Sequence, residues 1–244
     1  MNASAVHAKT IPADLRRRKQ WIVWREVPKP DGKIDKVPVD PSTGRNLDPH
    51  DRRNWMNFEP GMRHAPARGG IGFVLTADDP YAVVDLDDAL DDTGTIALHA
   101  TYARQIVDRL DSYTEVSHSK GGLHIFVRGT LPAGRREAKG VEVYDRGRFI
   151  AMTGDVFEGR DTIHDRQTEL EDIFHRFVQP HEARGTYEPP EAISEGQRHN
   201  EIVRLAGALR ARGLTPDEIE AALLAVNRAR CGPPLADGEV RVIA

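Results

Sequence analysis

The sequence holds a single cysteine, Cys231, among its 244 residues. One thiol cannot close an internal disulfide and cannot by itself build a thiolate zinc site, so the core must hold the fold alone. Long apolar runs are missing as well. With no stretch of about 18 hydrophobic residues, a membrane-spanning helix is excluded, and the mean hydropathy of -0.53 predicts a soluble protein. The opening residues Met1-Asn-Ala-Ser-Ala-Val-His-Ala-Lys lack a charged segment leading into an apolar core, and they lack the Arg-rich pattern of an organelle transit peptide. A cytosolic location is therefore expected. Excess positive charge is also absent. Against 38 Asp and Glu stand 34 Lys and Arg, a formal net charge of -4, so any affinity for nucleic acid must come from local patches.

Such patches are present. Between Thr10 and Gly70 lie thirteen Lys and Arg against eight acids, and from Asp78 to Asp92 there are seven Asp and no base. A basic apron followed by an acidic cluster suggests a metal centre beside an anion path, although a solvated Asp-rich loop has the same composition. The length allows one domain of ordinary size plus a small second one.

Punctuation gives the element map. Ile11-Pro-Ala-Asp-Leu reads as a short helix leading into a strand at Trp21-Ile-Val-Trp24, and the Val37 to Gly44 stretch reads as loop or sheet edge. Gly70 to Thr76 and Tyr81 to Asp87 read as two strands of a hairpin turning at Asp78-Asp-Pro80. Helical spacing runs from Ile96 to Leu110. Strands follow at Glu115-Val-Ser and Leu123 to Val127, and a second hairpin is expected from Val141-Glu-Val-Tyr144 and Arg148 to Met152 across Asp145-Arg-Gly147. Thr168 to Val178 reads as a closing helix. Residues 179–196, with three prolines, two glycines and few large apolar side chains, are read as a linker between a domain at 1–178 and a helical one at 197–244. In the latter, Ile202, Leu205, Ala206 and Leu209 share a helix face with Gly213 placed as its cap, Thr215-Pro-Asp-Glu218 opens a second helix, and a third begins near Asp237.

Three constellations carry chemistry. In Val83-Val-Asp85-Leu-Asp87, residues two apart on a strand share a face, so Asp85 and Asp87 point together while Val84 and Leu86 point to the core. Two carboxylates so placed suit divalent cations, and a strand running out into an acidic turn has the same spacing. The second is Ser117-His-Ser-Lys-Gly-Gly-Leu-His124. Its hydroxyls at Ser117 and Ser119, the Lys120 amine and glycine-exposed amides suit triphosphate oxygens, with His124 on the following strand; a plain Ser-Gly-Gly connector is the alternative. The third runs from Val141 to Arg148. Glu142 shares a face with Tyr144 and is a candidate third acid, Asp145 is its rival, and Arg148 on the returning strand suits a phosphate. Trp21, Trp24 and Trp55 are candidates for base stacking, but Trp21 and Trp24 sit in an apolar strand and are read as core.

In order and spacing these motifs resemble the archaeo-eukaryotic primase superfamily, in its phage and plasmid primase-polymerase branch. The resemblance runs through residues 18 to 24, Lys36 to Gly44, Gly70 to Val74, Asp85-Leu-Asp87, Ser117 to His124, Glu142 to Arg148 and Thr153-Gly154, and continues into Glu195 to Asn200 and Asn227 to Leu235. It implies an α+β fold, a two-lobed catalytic domain with an RRM-like antiparallel sheet, followed by a small all-α primase C-terminal domain. It further implies a DNA primase and polymerase working by two-metal nucleotidyl transfer, with Asp85, Asp87 and Glu142 holding Mg²⁺ or Mn²⁺. Ser119 and His124 would hold the incoming nucleotide's phosphates, assisted by Lys36 and Arg148. The implied partners are a single-stranded DNA template, NTP or dNTP substrates and a separate replicative helicase, since no Gly-x-x-x-x-Gly-Lys-[Ser/Thr] loop is present. The implied location is the cytoplasm of a bacterial host. A metal-dependent nuclease would use the same acids, and a catalytically silent single-stranded DNA-binding module is a third reading. A rolling-circle initiator is disfavoured because His118 and His124 are six residues apart.

Overall fold

The apolar run beginning at Trp21 nucleates the first long strand of the computed structural model, which describes residues 6–138, 140–179 and 187–243. In chain order the first part contains α1 (Ala13–Arg16), β1 (Trp21–Pro28), β2 (Ile34–Val39), α2 (Phe58–His64), β3 (Gly69–Leu75), β4 (Tyr81–Leu86), α3 (Thr101–Leu110) and β5 (Thr114–Val116). It continues with β6 (Leu123–Arg128), β7 (Glu137–Ala138), β8 (Val141–Tyr144), β9 (Arg148–Met152) and α4 (Gln167–Ile173), which runs on as a π-helical turn, Phe174–Val178. After these come β10 (Ile193–Ser194), α5 (Arg198–Ala211), α6 (Pro216–Arg230), β11 (Cys231–Gly232) and α7 (Asp237–Ile243). The chain packs as two units, residues 1–179 and 180–244. Among the described residues no helix is long and apolar enough to cross a membrane.

The first unit is α+β and holds two antiparallel sheets, one ordered β2-β1-β3-β9 and the other β5-β6-β4-β8-β7. Strand alternation sorts the side chains between two cores. Ala82, Val84 and Leu86 of β4, with Ile125, Val127, Val141 and Val143 beside them, pack against Ala103, Ile106, Val107 and Leu110 of α3 and Leu170 and Ile173 of α4. On the opposite face, Tyr81, Val83 and Phe126 join Trp21, Val23, Ile71, Phe73, Leu75 and Ile150, so the second core lies between the sheets. Trp21 and Trp24 are both core residues, as read from the sequence.

Neither expected hairpin forms. β3 and β4 belong to different sheets, as do β8 and β9. Leu75 pairs with Arg148 and Val83 with Tyr144, so β3-β4 and β8-β9 are two strands of one ribbon that bends over a shared corner. Buried Asp79 braces that corner, its carboxylate accepting hydrogen bonds from Gln20 Nε2 at 2.7 Å and from the Thr76 and Tyr81 amides at 3.0 Å each. Turn residues specify that the chain reverses; they do not specify which strands flank it, and here the buried faces of β3 and β4 find their partners in separate layers. The helix expected over 96–110 starts at Thr101 instead, because Ile96 bridges Leu90, the Ala97 amide bonds the Ala89 carbonyl, and Leu98 is left exposed.

In the second unit, Ile202, Leu205 and Ala206 of α5, Ile219 and Leu223 of α6 and Val240 of α7 form a separate core. Two expectations change here. Ile193 is buried in this core and β10 pairs in parallel with β11, so the later part of the stretch read as a linker over 179–196 is structural, and the unit is not purely helical. A lone isoleucine among prolines and charges carries no periodicity, which is why the sequence read as linker. The capping box at Thr215 forms: its hydroxyl accepts from the Glu218 amide at 3.4 Å, and Glu218 Oε2 accepts from the Thr215 amide at 2.8 Å. Thr215→Ala is expected to cost about 1 kcal/mol, read as faster hydrogen exchange in the first turn of α6; unchanged exchange would contradict the cap.

Candidate active site

Register places the candidate residues. Glu115 pairs with His124, His124 with Asp85, Asp85 with Glu142 and Glu142 with Glu137, so five ionisable residues form one row across β5-β6-β4-β8-β7. Asp87 follows the end of β4 and lies near enough to Asp85 and Glu142 to feel their charges. This row begins where the apolar side chains of the inter-sheet core stop, at Val83 and Phe126. Of the row, Asp85 and His124 line a pocket of about 430 Å³ together with Lys36, His50 and Arg148, while Glu142 and Asp87 lie outside its lining.

Lys36 comes from β2 of the four-stranded sheet, so both sheets supply the pocket. Burial pulls its ammonium below the ordinary lysine range, opposed by the charges of Asp85 and Asp87. His124 is 3% exposed, with Nε2 3.8 Å from Asp85 Oδ1 and Nδ1 3.1 Å from Glu115 Oε1. Glu142 accepts from the Tyr144 hydroxyl at 2.7 Å and from Arg148 Nη2 at 3.2 Å, while the Arg148 guanidinium stacks on the Tyr144 ring. Partial desolvation and repulsion from Asp85, Glu142 and Asp88 push Asp87 above its usual carboxylate range.

The glycine-rich turn sits beside this face. Ser117 Oγ lies 2.9 Å from Ser119 Oγ and accepts from the Gly122 amide at 3.2 Å. A Cβ at Gly122 would stand 2.6 Å from the Leu86 carbonyl, so glycine lets the turn approach the acidic strand closely. Neither serine lines the pocket, and Lys120 is turned to Asp155, with 2.7 Å between Nζ and Oδ2. Asp145 lies on the other face of β8 from Glu142. It is buried, and although burial opposes ionisation, hydrogen bonds from Arg146 and the Leu131 amide and the charge of Arg136 hold it below the usual carboxylate range. Of the two rival acids, Glu142 is the one in the row.

Oxygen donors of this kind suit a hard divalent cation. The arrangement is open: among the described residues no three His, Cys, Asp or Glu side chains converge on one point. Glu142 is instead held by Tyr144 and Arg148.

Because Asp87 is raised, its ionised form weakens the fold. That penalty is absent when the carboxyl is protonated in both states, and it develops as the pH rises from the unfolded value of 3.8 through the higher folded one. Asp87→Asn in a chelating buffer is therefore expected to raise the thermal midpoint at about pH 7, with the gain disappearing towards about pH 4. A midpoint lowered at neutral pH would contradict the repulsion.

Sequence reasoning missed Glu115, read only as part of a strand, together with Tyr144 and the His50 wall of the pocket. Glu115 could have been found from its place opposite His124, had the strand register been known.

Residues 190–244 match the primase C-terminal 1 (PriCT-1) family model. Over 157 residues, 61% of this chain, the sequence is 34% identical to the DNA primase-polymerase of Nitratiruptor phage NrS-1. The match takes in 21% of that protein, so the chain spans about a fifth of the curated relative's length. The chain thus carries a segment that matches a primase C-terminal family and is similar, over 61% of its length, to a phage primase-polymerase.

Proposed function

We propose that the chain is a DNA primase-polymerase unit that joins nucleotides on a single-stranded DNA template. One observation carries this reading: a row of acids on the five-stranded sheet meets a pocket supplied with Lys36, His124 and Arg148, pairing a cation site with an anion site across two sheets. In this reading the five-stranded sheet, with α3 and α4 on its outer face, is the RRM-like element of a two-lobed catalytic domain, and the PriCT-1 segment serves priming.

Asp85, Asp87 and Glu142 would hold Mg²⁺ or Mn²⁺. When bound, such a cation supplies activation of a 3′-hydroxyl and neutralisation of phosphoryl charge. The remaining work falls to the chain's own groups. Lys36 and Arg148 offer positive charge and His124 a ring nitrogen to triphosphate oxygens at the pocket, while Ser117 and Ser119 line the approach from the glycine-rich turn. Arg148 must leave Glu142 to do this, which frees the third acid at the same moment. Lys120 would reach the nucleotide only by leaving Asp155. A replicative helicase as partner and a location in the host cytoplasm complete the reading.

The test incubates the protein with single-stranded DNA, Mg²⁺ or Mn²⁺ and labelled nucleotides, with and without an annealed primer. Expected are template-dependent extension of the primer and short products without one. Shortening of the DNA with no incorporation would replace this reading with a nuclease, and binding of DNA with neither reaction would replace it with a silent binding module.

A further inference from the structure

We propose that Glu115 is the positioning residue that fixes the His124 ring, a role resting on the reading of His124 as a phosphate-holding group. Glu115 is charged and fully buried, and it stands directly opposite His124 in the β5-β6 register. A buried carboxylate is tolerated only when its oxygens are satisfied. Here Oε1 accepts from His124 Nδ1 at 3.1 Å and from the Thr153 amide at 3.2 Å; Oε2 accepts from the Tyr113 hydroxyl and the Gly154 amide, both at 2.8 Å. Burial and the Glu115 charge push the Tyr113 phenol up, so it stays a donor.

The hydrogen pattern follows from this inventory. An ionised carboxylate only accepts and a backbone amide only donates, so the hydrogen between Glu115 and His124 sits on Nδ1. Nε2 is thereby directed along the row to Asp85 and the pocket, and it donates to a phosphate oxygen when the ring carries hydrogens on both nitrogens. Each carboxylate oxygen also receives one backbone amide, so glutamine cannot substitute: whichever end carries its NH₂ group meets an N–H. The two amides follow β9 of the other sheet, at a turn where Gly154 has φ +67° and a Cβ would stand 2.3 Å from the His7 carbonyl. Glu115 thus references the histidine to both sheets that make the pocket.

The test compares Glu115→Gln in the wild-type and His124→Ala backgrounds, reading affinity for a non-hydrolysable deoxynucleoside triphosphate with Mg²⁺. Loss of about tenfold is expected in the wild-type background, and a clearly smaller loss, from the mismatched backbone amides alone, where His124 is already alanine. Equal losses in both backgrounds would make Glu115 a structural residue and overturn the proposal. Long-range ¹H–¹⁵N spectra of the unmutated protein give an independent reading that survives if the variant fails to fold: a proton on His124 Nδ1 is expected, and a bare Nδ1 overturns the proposal by itself. Absence of triphosphate binding by the unmutated protein would instead overturn the nucleotide-site reading, and the purpose assigned to the pair with it.

Discussion

Replacing Asp85 and Asp87 together by alanine is expected to lower nucleotide incorporation by about a thousandfold or more while leaving the protein folded. Asp85 lines the pocket and Asp87 follows the end of β4, whereas packing of the strand rests on Ala82, Val84 and Leu86 on its other face. Loss of the pair also removes the repulsion that raises Asp87, so the thermal midpoint should hold or rise. Single-turnover extension of a primed template measures the effect. A rate within about tenfold of the unmutated protein would mean that the acids do not carry the chemistry.

The largest loss of stability is expected at Trp21. It is fully buried, its ring meets Phe58 at 4.9 Å and Phe73 at 5.3 Å in edge-on contacts, and its indole nitrogen donates to the Leu15 carbonyl at 3.2 Å. Trp21→Ala removes these contacts from the core between the sheets and should destabilise the first unit by about 3–5 kcal/mol. All three tryptophans lie in that unit, so denaturant unfolding followed by the fluorescence of Trp24 and Trp55 reports on it without interference from the second core. A loss below about 1 kcal/mol would show that the site collapses around the vacancy or that the packing is loose.

These effects differ in how visible they are from sequence. Alternation alone placed Asp85 and Asp87 on one face and Val84 and Leu86 on the other; the structure keeps that division for Asp85, Val84 and Leu86, while β4 ends before Asp87. The capping box at Thr215 and the left-handed Gly213 were readable for the same reason, since both depend on residues within a few positions of one another. Long-range pairing was not readable. Asp145-Arg-Gly147 has the chemistry of a hairpin turn, yet β8 and β9 part into separate sheets, because the choice of partner is made by buried faces distant in the chain. Glu115 was missed on the same account: its meaning lies in facing His124, Thr153 and Gly154, none of them its sequence neighbours. Preference between Glu142 and Asp145 likewise needed the register that sets Glu142 opposite Asp85.

Cation binding by the row bears most directly on all of this. Electron paramagnetic resonance titration of Mn²⁺, with a non-hydrolysable deoxynucleoside triphosphate present, compares the unmutated protein with Asp85→Ala/Asp87→Ala and with Glu142→Gln. The expected result is saturable binding that the double substitution abolishes and Glu142→Gln weakens. Binding of equal strength in all three would contradict a metal-dependent nucleotide site at this row.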